Sequence, residues 1–120
     1  MTFTELAKLH GIQVVLASIL PVHDANPASQ DLFAQRPRER IVALNCWLKG
    51  WCAAEGLVWL DYASAMTDAA GKLIANYADD GLHPNVEGYR VMIPLADNAI
   101  CTALSRCAPG VGLTDDSQSI

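Results

Sequence analysis

Two aliphatic segments with a helical pattern between them are the features of this sequence that most constrain its fold. Residues 12–20 and 57–62 are rich in β-branched and aliphatic side chains and are apolar on both alternating faces. Strands of this composition are typical of the interior of a parallel sheet, where helices cover both faces. The sequence therefore predicts two parallel strands joined by a right-handed crossover through a helix.

Three segments have the apolar periodicity of helices. The first covers residues 4–9 and ends before Gly11, the second covers 37–55 and ends before Gly56, and the third follows Asn85 and extends to 104. Glycine after a helix and asparagine before one are the residues that terminate and cap helices. Residues 22–36 are predicted to form a loop, and residues 63–79 an irregular or weakly helical segment.

These elements predict an incomplete α/β sandwich. A parallel sheet usually contains more strands than the two predicted here, so the edge of the 12–20 strand is expected to lie open. Residues 1–108 are predicted to form one structural unit, followed by a flexible tail at 109–120, because the tail contains few apolar residues.

The composition disfavours several classes of protein. With 52% hydrophobic and 18% charged residues, the 120-residue chain has enough apolar side chains for a packed core. Its net charge of −5 and its mostly scattered basic residues disfavour nucleic-acid binding. The most apolar segment, residues 12–22, is too short to span a membrane. No signal peptide is recognisable, and the localisation stays open.

The cysteines do not have the spacing of a metal or redox site. Cys46 and Cys52 form one pair and Cys101 and Cys107 another, with five residues between the members of each. Zinc ligands are more closely spaced, and a redox motif has the form C-x-x-C. We therefore expect reduced thiols that act as small apolar side chains.

Residues 79–89, with the sequence DDGLHPNVEGY, contain the side chains best suited to catalysis. Asp80 precedes His83 by three residues, so a tight turn can bring its carboxylate back to the imidazole. A carboxylate in that place fixes the tautomer of the histidine and leaves the second ring nitrogen facing a nucleophile. Gly81 permits the turn, and a helix capped by Asn85 anchors it.

This segment closely resembles the last sequence block of the SGNH, or GDSL-type, lipase and esterase family. The resemblance extends to residues 11–21, which are similar to the penultimate strand of that family and the loop after it. It also includes Asn45 and Trp47 in the middle helix and the Asp61-Tyr62 pair at the end of the last strand.

The resemblance implies a flavodoxin-like α/β/α sandwich that hydrolyses small-molecule esters by acyl transfer to a serine, with no cofactor. It further implies that His83 is the general base and that Asp80 orients it, with Asp79 the less suitable acid. Three blocks of that family are not found here: the Gly-Asp-Ser nucleophile motif and the two that supply the oxyanion-hole glycine and asparagine. The chain is therefore expected to be a C-terminal part that lacks the N-terminal strands and is inactive alone.

The resemblance also leaves alternatives open. The expected partner is the complementary N-terminal half or a second copy of the chain. A non-catalytic module that self-associates through its open sheet edge is the main alternative, and an enzyme whose serine comes from another chain is a third. The sequence does not indicate whether the ester is a lipid, an acetylated sugar or a thioester.

The remaining candidate residues are expected to have no part in the chemistry. His23, just after the first predicted strand, is expected to be a solvated loop residue, with a place in an acyl pocket as the alternative. A metal site built from Asp79, Asp80 and His83, with or without His23, lacks a fixed fourth ligand, so no metal is expected. The tryptophans are expected to pack helix against sheet, with stacking on a substrate as the alternative: Trp47, Trp51 and Trp59.

Overall fold

The computed structural model describes residues 2–106, and the predicted tail at 109–120 lies outside that range. Within it the chain order is α1 (Phe3–Leu9), β1 (Val15–Ala17), α2 (Gln30–Gln35), α3 (Arg38–Glu55), β2 (Val58–Leu60), α4 (Tyr62–Met66) and α5 (Val86–Ser105). Short 3-10 helices cover Pro27–Ser29 and Ala75–Tyr77. In this part of the chain, no helix combines the length and the apolar character needed to cross a membrane.

Strands β1 and β2 are parallel neighbours, as the sequence predicts. Val15 pairs with Val58 and Ala17 pairs with Leu60. The amide of Ser18 extends the pairing by donating to the carbonyl oxygen of Leu60 at 2.9 Å. The fold class is therefore α/β, built on a parallel pair with α3 in the crossover between its strands.

Both strands are shorter than the apolar segments 12–20 and 57–62, so the predicted bounds are wrong. The backbone on either side of β1 is bound elsewhere: the amide of Ile12 donates to the carbonyl oxygen of Ala7 at 2.8 Å. The amide and carbonyl groups of Ile19 both bind the side chain of Asn45, each at 2.8 Å. Asn45 lies on α3. Its carboxamide occupies the amide and carbonyl groups of Ile19, which a neighbouring strand would otherwise bind.

The helix ends follow the predicted signals. Gly11 and Gly56 both have a φ of +71°, the left-handed conformation that commonly follows a helix C-terminus. The side chain of Asn85 accepts the amide of Gly88 at 3.0 Å and so caps α5.

The prediction that residues 22–36 form only a loop is wrong, because they contain a 3-10 turn and α2. The side chain of Asn26 accepts the amide of Ser29 at 3.0 Å, and Pro27 takes the first helical position. These are start signals of a helix, but the polar composition around them has no helical period.

The side chains of β2 alternate between the two faces of the sheet, and helices cover both faces. Val58 and Leu60 form a core with the small residues Ala99 and Ala103 of α5. Trp59 points to the opposite face, where it lines a cavity beside α3.

The cysteines differ in exposure. Cys46 on α3 and Cys101 on α5 are exposed, Cys52 is buried, and all three are free thiols. Burial raises the pKa of the Cys52 thiol above its ordinary value. Cys107 lies outside the described residues.

We expect Cys46 and Cys101 to be alkylated well before Cys52 in the native chain. The thiolate is the reactive form, and Cys52 has both a raised pKa and no access to solvent. Timed alkylation followed by peptide mass spectrometry measures the three rates, and Cys52 should react only in denaturant. Equal rates for Cys46 and Cys52 in the native chain would contradict the burial of Cys52.

Candidate active site

The N-terminus of α5 lies beyond the carboxyl end of β2, where α/β sheets place their ligands. Ala99 and Ala103 of α5 pack on β2 itself. Val91 and Met92, nearer the start of α5, pack around Met66, which follows the strand. The segment that leads into α5, residues 78–85, therefore lies at this end of the sheet, and we refer to it as the 78–85 loop.

Asp80 and His83 are in direct contact in this loop. Oδ2 of Asp80 lies 2.6 Å from Nδ1 of His83, so the tight turn brings the carboxylate back to the imidazole as predicted. The other carboxylate oxygen, Oδ1, accepts the backbone amides of Leu82 at 2.9 Å and of His83 at 2.8 Å. The carboxylate is therefore fixed by its own loop.

These contacts stabilise the charged form of Asp80. The hydrogen bond from the His83 ring is the largest cause, followed by those from the amides of His83 and Leu82, and together they hold the pKa of Asp80 well below its usual value. An ionised carboxylate can only accept, so Nδ1 of His83 donates to it. The lone pair of the neutral ring is then on Nε2.

The Nε2 atom of His83 is free to meet another molecule. Side-chain exposure is 76% for His83 and 51% for Asp80. Nε2 makes no hydrogen bond to any residue in the 2–106 range, whereas Nδ1 is bound to Asp80. A neutral imidazole held in this way can accept a proton from a hydroxyl group placed at Nε2.

Asp79, the neighbouring carboxylate, has a different partner. Its Oδ1 accepts the side-chain amide of Asn85 at 2.9 Å, and the same amide group donates to the carbonyl oxygen of Asn76 at 3.0 Å. The backbone amide of Asn85 donates to the carbonyl oxygen of Tyr77 at 2.7 Å. Asp79 and Asn85 therefore join the two ends of the loop.

Sequence reasoning was wrong about His23, which is not a solvated loop residue. Its exposure is 3%, and both ring nitrogens form hydrogen bonds inside the protein. Val22 beside it is equally buried, and this apolar neighbour is a weak signal that the segment turns inward. Since neither nitrogen is free, His23 is not available as a metal ligand.

Within residues 2–106, no three His, Cys, Asp or Glu side chains are grouped closely enough to hold a metal ion. The serines of that range are also engaged elsewhere. Ser18 accepts the amide of Ala63, Ser64 donates to Asp61, and Ser29 and Ser105 each donate to a backbone carbonyl. None of the four hydroxyl groups is hydrogen-bonded to His83.

We expect Asp80→Asn to destabilise the chain at neutral pH and to have less effect in acid. The folded-state pKa of Asp80 lies below its unfolded value, so its stabilising contribution is present above 3.8 and is lost as the pH falls from there toward the folded-state pKa. Thermal unfolding of both forms over a pH series measures the difference. Asp97→Asn, an exposed change on α5, is the control. A difference that does not change with pH would contradict a charged Asp80–His83 contact.

The sequence matches one known family. Residues 3–91, a range that includes Asp80 and His83, match the sequence profile of the GDSL-like Lipase/Acylhydrolase family. A search of curated proteins gives no match.

Among solved structures similar to this chain are two bacterial proteins. A GDSL-like lipase from Bacteroides thetaiotaomicron is 31% identical, with a TM-score of 0.70, over 83% of this chain and 48% of its own length. A protein from Bacteroides fragilis assigned as an acylhydrolase is 35% identical, with a TM-score of 0.67, over 83% of this chain and 47% of its own length. The chain thus spans just under half the length of each.

Proposed function

Because the chain belongs to the GDSL-like lipase/acylhydrolase family, we propose that it supplies the histidine and the aspartate of a serine ester hydrolase. His83 acts as the general base that takes the proton of the nucleophilic serine, and Asp80 holds it in the required tautomer. The substrate class is a carboxylic ester, and the chemistry is acyl transfer to serine followed by hydrolysis.

The observation that carries this proposal is the 2.6 Å contact between Oδ2 of Asp80 and Nδ1 of His83, with the His83 side chain 76% exposed and its Nε2 not hydrogen-bonded to any residue of the 2–106 range. A histidine with this arrangement has one nitrogen committed to a carboxylate and the other available for a hydroxyl group. A purely structural histidine normally satisfies both nitrogens inside the protein, as His23 does here.

We propose that the nucleophile comes from residues outside this 120-residue sequence. The sequence contains no Gly-Asp-Ser motif, and the described serines are bound to other groups. Without a nucleophilic serine and oxyanion donors, the histidine has no hydroxyl group to activate, and no acyl-enzyme can form on serine. We therefore propose that the chain works together with the complementary part of a GDSL-like domain and is inactive alone.

The apolar surface supports such a partner. β1 has a strand neighbour on one side only within the described residues, and its flanks Ile12 and Ile19 are exposed. Helix α5 carries a second exposed apolar stripe with helical spacing, formed by Val86, Tyr89, Ile93, Ile100 and Leu104. An open strand edge next to large apolar side chains is a surface that another polypeptide commonly covers.

The same surface supports the second candidate function, a non-catalytic module that self-associates. Trp47 on α3 is a further exposed apolar side chain: it is 62% exposed and stacks on Trp51 rather than packing against the sheet, contrary to the sequence prediction. Sedimentation of the chain alone and with the complementary part distinguishes the two candidates. Stable dimers that the complementary part does not dissociate favour self-association.

The proposal is tested with a chimera that joins this chain to the complementary part of a GDSL-like domain containing a Gly-Asp-Ser motif. Hydrolysis of an activated acetate ester is measured for the chimera and for the chain alone. Activity of the chimera that depends on His83 supports the proposal. Serine acylation in the isolated chain would overturn the division of the catalytic residues.

A further inference from the structure

His23 makes two directional hydrogen bonds inside the protein, although its side chain belongs to a loop far away in sequence from the Asp80–His83 pair. Nδ1 accepts the amide of Ala25 at 3.1 Å, so the ring proton is on Nε2. Nε2 lies 2.6 Å from the carbonyl oxygen of Ala78 and donates to it. Burial makes both bonds costly to lose, because an unpaired polar group would be left without water.

The Ala78 contact is one of three that connect the same two segments. The amide of His23 donates to the carbonyl oxygen of Gly81 at 3.1 Å, and the side-chain amide of Asn26 donates to that of Asp79 at 3.0 Å. The acceptors are the backbone carbonyls of residues 78, 79 and 81, which lie on both sides of Asp80. Donors from residues 23–26 therefore hold the backbone that carries the orienting carboxylate.

The segment that provides these donors is itself anchored to the body of the protein. The carbonyl oxygen of Val22 accepts the amide of Leu73, which is 1% exposed in the core around Met66. Asp24 forms an ion pair with Lys72 at 3.0 Å. Residues 22–24 are therefore also held by contacts to residues 72 and 73, outside the 78–85 loop.

We infer that His23 is a positioning residue, which holds the 78–85 loop so that Asp80 selects the Nδ1-protonated tautomer of His83. This inference deepens the proposed function and rests on it. His23 acts through the Ala78 carbonyl and does not touch the reacting atoms. Its Nε2–H donor is the required group, and the ring supplies the volume that keeps the contact free of water.

Two substitutions, His23→Gln and His23→Asn, separate the effect of the N–H donor from that of the side-chain volume. Glutamine at position 23 can place an amide N–H near the Nε2 position and donate to Ala78. Asparagine is one methylene shorter and reaches only the Nδ1 position, near Ala25. His23→Phe removes both polar groups while keeping a ring, and His10→Gln, at the exposed end of α1, is the matched control.

The experiment is nitrogen NMR of the full 120-residue chain above the pH at which imidazoles are protonated, which reports the tautomer of each histidine. In the parent chain and in His10→Gln, we expect His83 to carry its proton on Nδ1. The same state is expected in His23→Gln. In His23→Asn and His23→Phe we expect a mixture of tautomers, because a solvated imidazole populates both.

The outcomes separate this inference from the proposed function. If His83 stays on the Nδ1–H tautomer in folded His23→Asn, the inference is overturned while the proposed roles of Asp80 and His83 stand. If the parent chain already shows mixed tautomers, both fall together. If His23→Phe does not fold, the comparison of His23→Gln with His23→Asn still tests the inference. Equal tautomer ratios in those two variants overturn it. In the chimera, His23→Asn should lower kcat roughly 10- to 100-fold with KM unchanged, and His23→Gln should restore it.

Discussion

Replacing His83 by alanine in the chimera is expected to lower kcat for ester hydrolysis by roughly 10⁴- to 10⁶-fold. The loss is large because the serine hydroxyl is a weak nucleophile until a base takes its proton. In this chain Nε2 of His83 is the group available for that step, since Nδ1 is bound to Asp80. Steady-state kinetics with an activated ester give kcat and KM separately, and KM is expected to change little.

Variants of the adjacent carboxylates provide the internal comparison. Asp80→Asn should lower kcat by about 10²- to 10⁴-fold, because an amide can donate to the ring and favour the wrong tautomer. Asp79→Asn should have a much smaller effect, since Asp79 contacts Asn85 and not His83. His10→Ala, at an exposed helix end, should leave the rate unchanged. A larger loss for Asp79→Asn than for Asp80→Asn would contradict the assignment of the orienting acid.

Gly81→Ala is expected to destabilise the chain by about 2–5 kcal/mol. Gly81 has a φ of +84°, a left-handed conformation that costs an alanine about 1–2 kcal/mol. An added Cβ would also lie 2.5 Å from Cβ of Ser29 and 2.8 Å from the carbonyl oxygen of His23. Forcing these packed groups apart adds about 1–3 kcal/mol. Denaturant unfolding at equilibrium measures the change in the free energy of unfolding.

Two other glycines separate the causes. Gly11 has a similar φ of +71° with no atom within 4 Å of the added Cβ, so Gly11→Ala should show the backbone cost alone. Gly50 lies inside α3 and has the same open space, so Gly50→Ala should raise the free energy of unfolding of the chain by up to about 1 kcal/mol. Equal destabilisation by Gly81→Ala and Gly11→Ala would mean that the 78–85 loop can move away from Ser29.

Sequence alone determined the features that depend on short stretches of backbone. Two aliphatic runs indicate the two strands, and the helix ends follow from Gly11, Gly56 and the Asn85 cap. The Asp80–His83 contact belongs to the same group, because the two residues are three apart and the turn between them needs only local dihedral angles. A local sequence signal was enough to predict each of these features.

Tertiary structure decided the features whose partners are distant in sequence. β1 ends where it does because Ile19 binds Asn45, which is 26 residues away. His23 is buried, and its ring donates to the carbonyl oxygen of Ala78, 55 residues away. No periodicity or capping signal encodes such pairings, since each depends on where the packed sheet and helices place the partner group. The shape of the Asp80–His83 turn is therefore local, whereas the contacts that hold that turn in place exist only in the folded chain.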